Sequence, residues 1–219
     1  YAGFEENGDT WLGASISGAG GSFSSVTGST DTPASQRILQ GLRSYQSSNG
    51  TSILDFATVD VSNFDSIQLT IRVSSTSATT GNGNDGPDFI RLFTALNGAA
   101  IGATPDISLN GNGNARWGFD ATLSASTVSG SSISLQAPQI GTSSNNYSTL
   151  TITIPDSATS VDFRLIAFND NSGEFWNVDS VELTGTLVPE PSSLATLMGG
   201  LGMLCGFQRL RSTRRRARV

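Results

Sequence analysis

At 219 residues the chain has room for one β-domain of ordinary size and a tail, not for two full domains. Charged residues make up 14% of it, there is no Lys and no His, and Gly, Ser, Thr and Asn are abundant, which favours turns and strands over helix interiors. The net charge of −6 conceals two regions: six of the twelve Arg lie in the last eleven residues, and the body before residue 188 carries six Arg against seventeen acids, near −11. Such a body repels phosphate backbones, so no nucleic-acid partner is expected.

Cys205, in the tail, is the only cysteine, so disulfides contribute nothing to the body's fold. Without His, and without a body Cys, the body lacks an imidazole base and a thiolate nucleophile. A non-enzymatic role is expected. A carboxylate-based glycan hydrolase or lyase is the alternative that this composition leaves open.

In chain order, the sequence opens at Tyr1 rather than Met, read as a mature end left by a removed export signal. Strand-length apolar runs follow at 53–59, 66–73, 89–96, 148–154, 161–168 and 175–183. In 67–73 and 150–154 every second residue is apolar, the pattern of a strand with one buried face. The same reading of 178–183 puts Val178, Ser180 and Glu182 on one face and Asp179, Val181 and Leu183 on the other. Asn-Gly pairs at Asn7-Gly8, Asn49-Gly50, Asn82-Gly83, Asn97-Gly98 and Asn110-Gly111 supply turns, since both residues tolerate positive φ. Stretches 14–36, 74–88 and 124–146 are rich in Ser, Gly and Thr and read as long loops. The body shows no convincing helical period. The expected fold is all-β, an antiparallel two-sheet sandwich of jelly-roll type over 1–186, followed by a tail at 187–219.

Two kinds of binding residue stand out in the body. In Gly81-Asn82-Gly83-Asn84-Asp85-Gly86-Pro87-Asp88, Asp85 and Asp88 flank a turn before a strong strand, with Asn82 and Asn84 as further oxygen donors. Oxygen-only donors suit calcium, although the twelve-residue EF-hand pattern is missing and turn chemistry alone also explains the residues. Trp117, Tyr45 and Tyr147 lie near predicted loops, where ring faces could stack on sugars. Trp117 also shares a strand face with Phe119, an arrangement that would bury it.

In the tail, Pro189-Glu190-Pro191 precedes an uncharged, mostly apolar stretch, 192–207, and then Arg209, Arg211, Arg214, Arg215, Arg216 and Arg218. A single hydrophobic helix over about 192–208 would be about 25 Å long, slightly short of a bilayer core of about 30 Å. The Arg cluster would stay cytoplasmic and place the body outside.

This order of Pro-Glu-Pro, short apolar helix and terminal Arg run resembles the PEP-CTERM sorting signal of exported bacterial proteins. The resemblance covers residues 188–219 and implies recognition at Pro189, Glu190 and Pro191 by an exosortase, a membrane-embedded cysteine peptidase-like enzyme. It further implies passage through the inner membrane, processing near the motif and display at the surface of a bacterium that makes exopolysaccharide. Gly3-Phe4-Glu5-Glu6 with Trp11 near the start, and Gly173-Glu174-Phe175-Trp176-Asn177-Val178-Asp179-Ser180-Val181-Glu182-Leu183 at the end, look like the terminal strands of a galactose-binding-like jelly roll. That resemblance implies a carbohydrate-binding-like module and carries structural-calcium ligation onto Glu5 and Asp179.

Overall fold

The computed structural model describes residues 14–24, 38, 39, 44–78, 81–137, 145–188 and 203. Glu5, Trp11, the Pro189-Glu190-Pro191 motif and the six terminal Arg lie outside the described residues, as does the predicted tail helix apart from Met203, which is helical. Among the described residues no helix is long and apolar enough to cross a membrane.

The described body is all-β. Its first strands are β1 (Ala14–Gly18), β2 (Gly21–Ser24), β3 (Ser44–Ser47), β4 (Gly50–Phe56) and the two-residue β5 (Val59–Asp60). The middle of the chain forms β6 (Phe64–Ser77), β7 (Phe89–Leu96), β8 (Ile107–Asn110), β9 (Leu123–Val128) and β10 (Ile133–Gln136). β11 (Tyr147–Ile154), β12 (Ser160–Asn169) and β13 (Glu174–Leu187) complete it. One sheet has the order β1-β4-β12-β7-β8-β10, with β5 on β12; the other runs β2-β3-β13-β6-β11-β9.

The sheets are mixed rather than wholly antiparallel as expected: β8 pairs with β10, and β9 with β11, in parallel. The cause is connectivity. The chain leaves β8, crosses to the other sheet to form β9, and returns as β10 beside the strand it left. Parallel neighbours need a crossover of this kind rather than a hairpin.

The two 14-residue strands, β6 and β13, form the longest ladder, from Glu174 opposite Ser77 to Leu187 opposite Phe64. On β6 the alternation read from the sequence places Ile67, Leu69, Ile71 and Val73 in the core. Leu150, Ile152 and Ile154 of β11 line the same interior. Trp117 and Trp176 fill its centre, both fully buried, with their rings edge-on at 5.5 Å. On β13 the expected alternation is broken. A bulge between Asp179 and Glu182, with Ser180 at φ 46°, brings Val178, Val181 and Leu183 all against the core. An inserted residue resets which face the following side chains take.

Three stretches read as loops contain strands: β1 and β2, the end of β6, and β9 with β10. Their side chains are mostly small and polar, so periodicity in hydrophobicity is faint. At the end of β6, Ser74, Ser75, Thr76 and Ser77 are buried, and Asn177 on β13 donates to Ser74 Oγ at 3.1 Å and Thr76 Oγ1 at 3.0 Å. Hydrogen bonds between neighbouring strands meet the needs that water would otherwise meet.

Trp176→Ala should therefore cost about 3–5 kcal/mol of unfolding free energy, since it empties the centre of the core. Denaturant unfolding checks it; a loss below 1 kcal/mol would mean that the two indoles do not organise the interior.

Candidate metal centre

The 81–88 segment joins β6 in one sheet to β7 in the other, and its backbone is tightly held. Asp88 N–H donates to Asp85 O at 3.1 Å, closing the Asp-Gly-Pro-Asp turn. Asn84 is fully buried; its Nδ2 donates to Ser75 Oγ at 2.6 Å and Phe175 O at 3.2 Å. Its Oδ1 accepts from Asn169 Nδ2, and its carbonyl accepts from Ala115 N–H at 3.0 Å. Glycine is needed where other backbone crosses: a Cβ on Gly111 would lie 2.2 Å from Asp85 O, and one on Gly83 would lie 2.6 Å from Ala115 O.

This loop meets the turn between β12 and β13. Asp88 is buried and its carboxylate accepts from two backbone amides, Asp85 N–H at 2.8 Å on Oδ2 and Asp170 N–H at 3.0 Å on Oδ1. One carboxylate oxygen from each of Asp85, Asp88 and Asp170 lies within 4.8 Å of the others. Asp85 is half-buried and Asp170 exposed, so the cluster opens to solvent on one side. These three acids can hold a metal ion.

Glu174, the first residue of β13, stands against them and is only 2% exposed. Burial chiefly, then the charge of Asp88 and a hydrogen bond to it, then Asp85 and Asp170, push its carboxyl up to about 8. Burial also raises Asp88, but the two amide donors oppose that and favour its ionised form, so the shared proton resides on Glu174. Burial and the charge of Asp170 raise Asp85. Two carboxylate oxygens at the cluster, Glu174 Oε2 and Asp85 Oδ1, are buried without a hydrogen-bond partner, as is Asn169 Oδ1 beside it.

Of the residues singled out in the sequence, Asp85 and Asp88 are brought together, and Asp170 and Glu174 join them unforeseen. The signal was present in Asn169-Asp170-Asn171-Ser172-Gly173-Glu174, an acid-bracketed turn, but only the pairing of Ser77 with Glu174 places it beside 81–88. Asn84 is no free oxygen donor, because its side-chain oxygen is taken by Asn169. Asp179 lies elsewhere, buried opposite Arg72, with its carboxylate accepting Leu39 N–H at 2.8 Å and Ser180 N–H at 2.7 Å.

The aromatic expectations are corrected. Trp117 is 1% exposed, its Nε1 donates to Tyr147 O at 3.1 Å, and Tyr45 is 1% exposed in the core cluster. Neither can stack on a sugar, because inward strand positions bury their rings. Tyr147 is half-buried and packs against the core. The rings that do lie on an outer sheet face are Phe89 and Phe168, half-buried and stacked at 5.5 Å, with the Arg91 guanidinium 3.8 Å above Phe89. They escaped notice because each falls within a strand-length apolar run of the sequence, 89–96 and 161–168.

No family model and no curated protein matches the chain. Among solved structures, the chain is similar to the carbohydrate-binding module TmCBM61 in complex with β-1,4-galactotriose. That similarity has a TM-score of 0.43 and 10% identity, over 78% of this chain and 88% of that one. Another is the enzymatically active domain of tailspike protein 4 of bacteriophage CBA120, with a TM-score of 0.42 and 12% identity over 81% of this chain. This chain spans only 20% of that domain's length. The K3 cleaved adhesin domain of Lys-gingipain from Porphyromonas gingivalis gives a TM-score of 0.37 and 13% identity, over 75% and 90%.

The carboxyls give a pH dependence with a definite sign. Glu174 is raised in the folded chain, so between its unfolded value and about 8 the native state binds more protons than the unfolded one. Stability of the metal-free chain should therefore fall as pH rises from about 5 to about 9. Melting in chelator across that range measures the effect, and Glu174→Gln should flatten the slope; an unchanged slope would place the titration elsewhere.

Proposed function

We propose that the chain is an exported, non-enzymatic surface or matrix module, a calcium-stabilised sandwich of jelly-roll type displayed beside exopolysaccharide and sorted by its C-terminal signal. The observation that carries this reading is where the last described strand ends. β13 ends at Leu187, and Val188 N–H still donates to Asn63 O at 2.8 Å. Pro189-Glu190-Pro191 is next in sequence, so the recognition motif of the resemblance follows the last strand with no linker. At this end Val59, Phe64, Leu187 and Val188 are exposed apolar side chains, as suits a surface held near a membrane.

The fold's chemistry supports the same reading. A body without cysteine draws no stability from disulfides after export and must rely on core burial and bound ions. Its acid cluster offers oxygen donors only, and calcium is the hard cation whose flexible coordination suits carboxylates on loops. The same acids make a poor glycosidase. Asp88 is fully buried and held by two backbone amides, and Glu174 is too buried to reach a substrate.

Replacing Pro189, Glu190 and Pro191 with alanine should leave uncleaved protein in the inner membrane fraction of the producing cell. Normal processing of that variant would reduce the tail to a plain membrane anchor.

A second reading, carbohydrate binding, is favoured by one feature: the stacked Phe89 and Phe168 with Arg91 on the outer face of the sheet. Ring faces and a guanidinium are what a pyranose surface and its hydroxyls select. Under this reading Phe168→Ala weakens binding to the producer's own exopolysaccharide about tenfold or more while the melting temperature stays high. Equal retention of both proteins on a polysaccharide column would remove the platform from the account.

A further inference from the structure

The acidic centre carries more than a general capacity for metal. We propose that Asp85, Asp88, Asp170 and Glu174 together form one calcium site that clamps the two neighbouring crossovers between the sheets, with Glu174 as a direct ligand. Glu174 stands outside the three acids whose oxygens lie within 4.8 Å of one another, and it is 98% buried, with Oε2 facing no hydrogen-bond partner. A buried carboxyl oxygen without a donor is rare in folded proteins and calls for a partner, which a cation can be. No Lys or His exists to provide one, and among the described residues no Arg is ion-paired with these four acids.

The size of the site fits the ion. Two oxygens on opposite sides of one calcium are at most about 5 Å apart, given ligand distances of about 2.3–2.6 Å. The three aspartates satisfy that limit at 4.8 Å. Asp88 can serve while keeping its two amide donors, because each carboxylate oxygen has a second lone pair. The exposed Asp170 leaves an entry path and room for water ligands.

The topology gives the site its role. Residues 78–88 carry the chain from β6 to β7, and 170–173 carry it from β12 to β13. Both are passages between opposite sheets. An ion held by Asp85 and Asp88 from one passage and by Asp170 and Glu174 from the other locks the sheets together at this end. Calcium in the extracellular medium would then complete the fold after export. The proposal deepens the calcium component of the function proposed above and needs neither the tail nor a glycan, so it can fail while they stand.

The test uses the full chain, purified in detergent after chelator treatment and titrated with calcium chloride alone. Calorimetry should show saturable binding of one ion per chain, and the melting temperature should rise with calcium. Glu174→Gln and Asp170→Ala should each weaken binding about tenfold or more and shrink the melting shift. Asp179→Asn should leave the calcium affinity unchanged. Asp170 is exposed, so its variant folds even where a change at Glu174 disturbs β13. Absence of saturable binding, or binding that survives both variants, overturns the proposal; loss only in Asp179→Asn would move the ion to the other end of the resemblance-based pair.

Discussion

One buried amide determines how the loops at the acidic end are placed. The side chain of Asn84 bonds to β6 through Ser75, to β13 through Phe175 O and to the end of β12 through Asn169, while its backbone holds 112 and 115. Asn84, Ser75 and Asn169 are fully buried, so a partner lost among them would cost about 1–3 kcal/mol. That requirement leaves the neighbouring Asp85 little freedom. The acids converge because an uncharged residue between the sheets has a unique set of partners.

Convergence has an electrostatic cost. Two full charges about 5 Å apart repel by about 3 kcal/mol at an effective dielectric of about 20. Several such pairs would consume much of the roughly 5–15 kcal/mol that holds a domain folded. A shared proton on Glu174 relieves part of the repulsion. A divalent cation would relieve more, and it would also satisfy the oxygens that a proton leaves without partners. The two solutions would compete for the same carboxylates.

What the sequence made legible follows from where hydrophobic contrast was high. The β6 and β11 faces were plain in 67–73 and 150–154, because isoleucine, leucine and valine alternate there with polar residues. β9 and β10 were hidden because Ser and Thr fill four of their ten positions within an equally Ser- and Thr-rich stretch, and serine gives the same local signal in a strand as in a loop. The parallel pairs could not be read at all, since they depend on which sheet a strand joins after a crossover. Half of the acidic centre was legible as Asp85 and Asp88. The other half needed the register of β13 on β6, and the bulge at Ser180 shows how a single extra residue defeats alternation-based reading of that strand.

The same ladder separates the two ends of the molecule. β6 and β13 run antiparallel, so Ser77 and Glu174 mark the acidic end, and Phe64 and Leu187 mark the end from which the tail departs. Fourteen residues at about 3.3 Å each set these ends roughly 40 Å apart. Val188 and the acidic crossovers therefore lie at opposite ends of the sandwich, with exposed apolar side chains at one and converging carboxylates at the other. A core ladder of two long strands thus keeps the end of the last strand mechanically separate from the crossovers that the acids bring together, so a change at one end need not disturb the other.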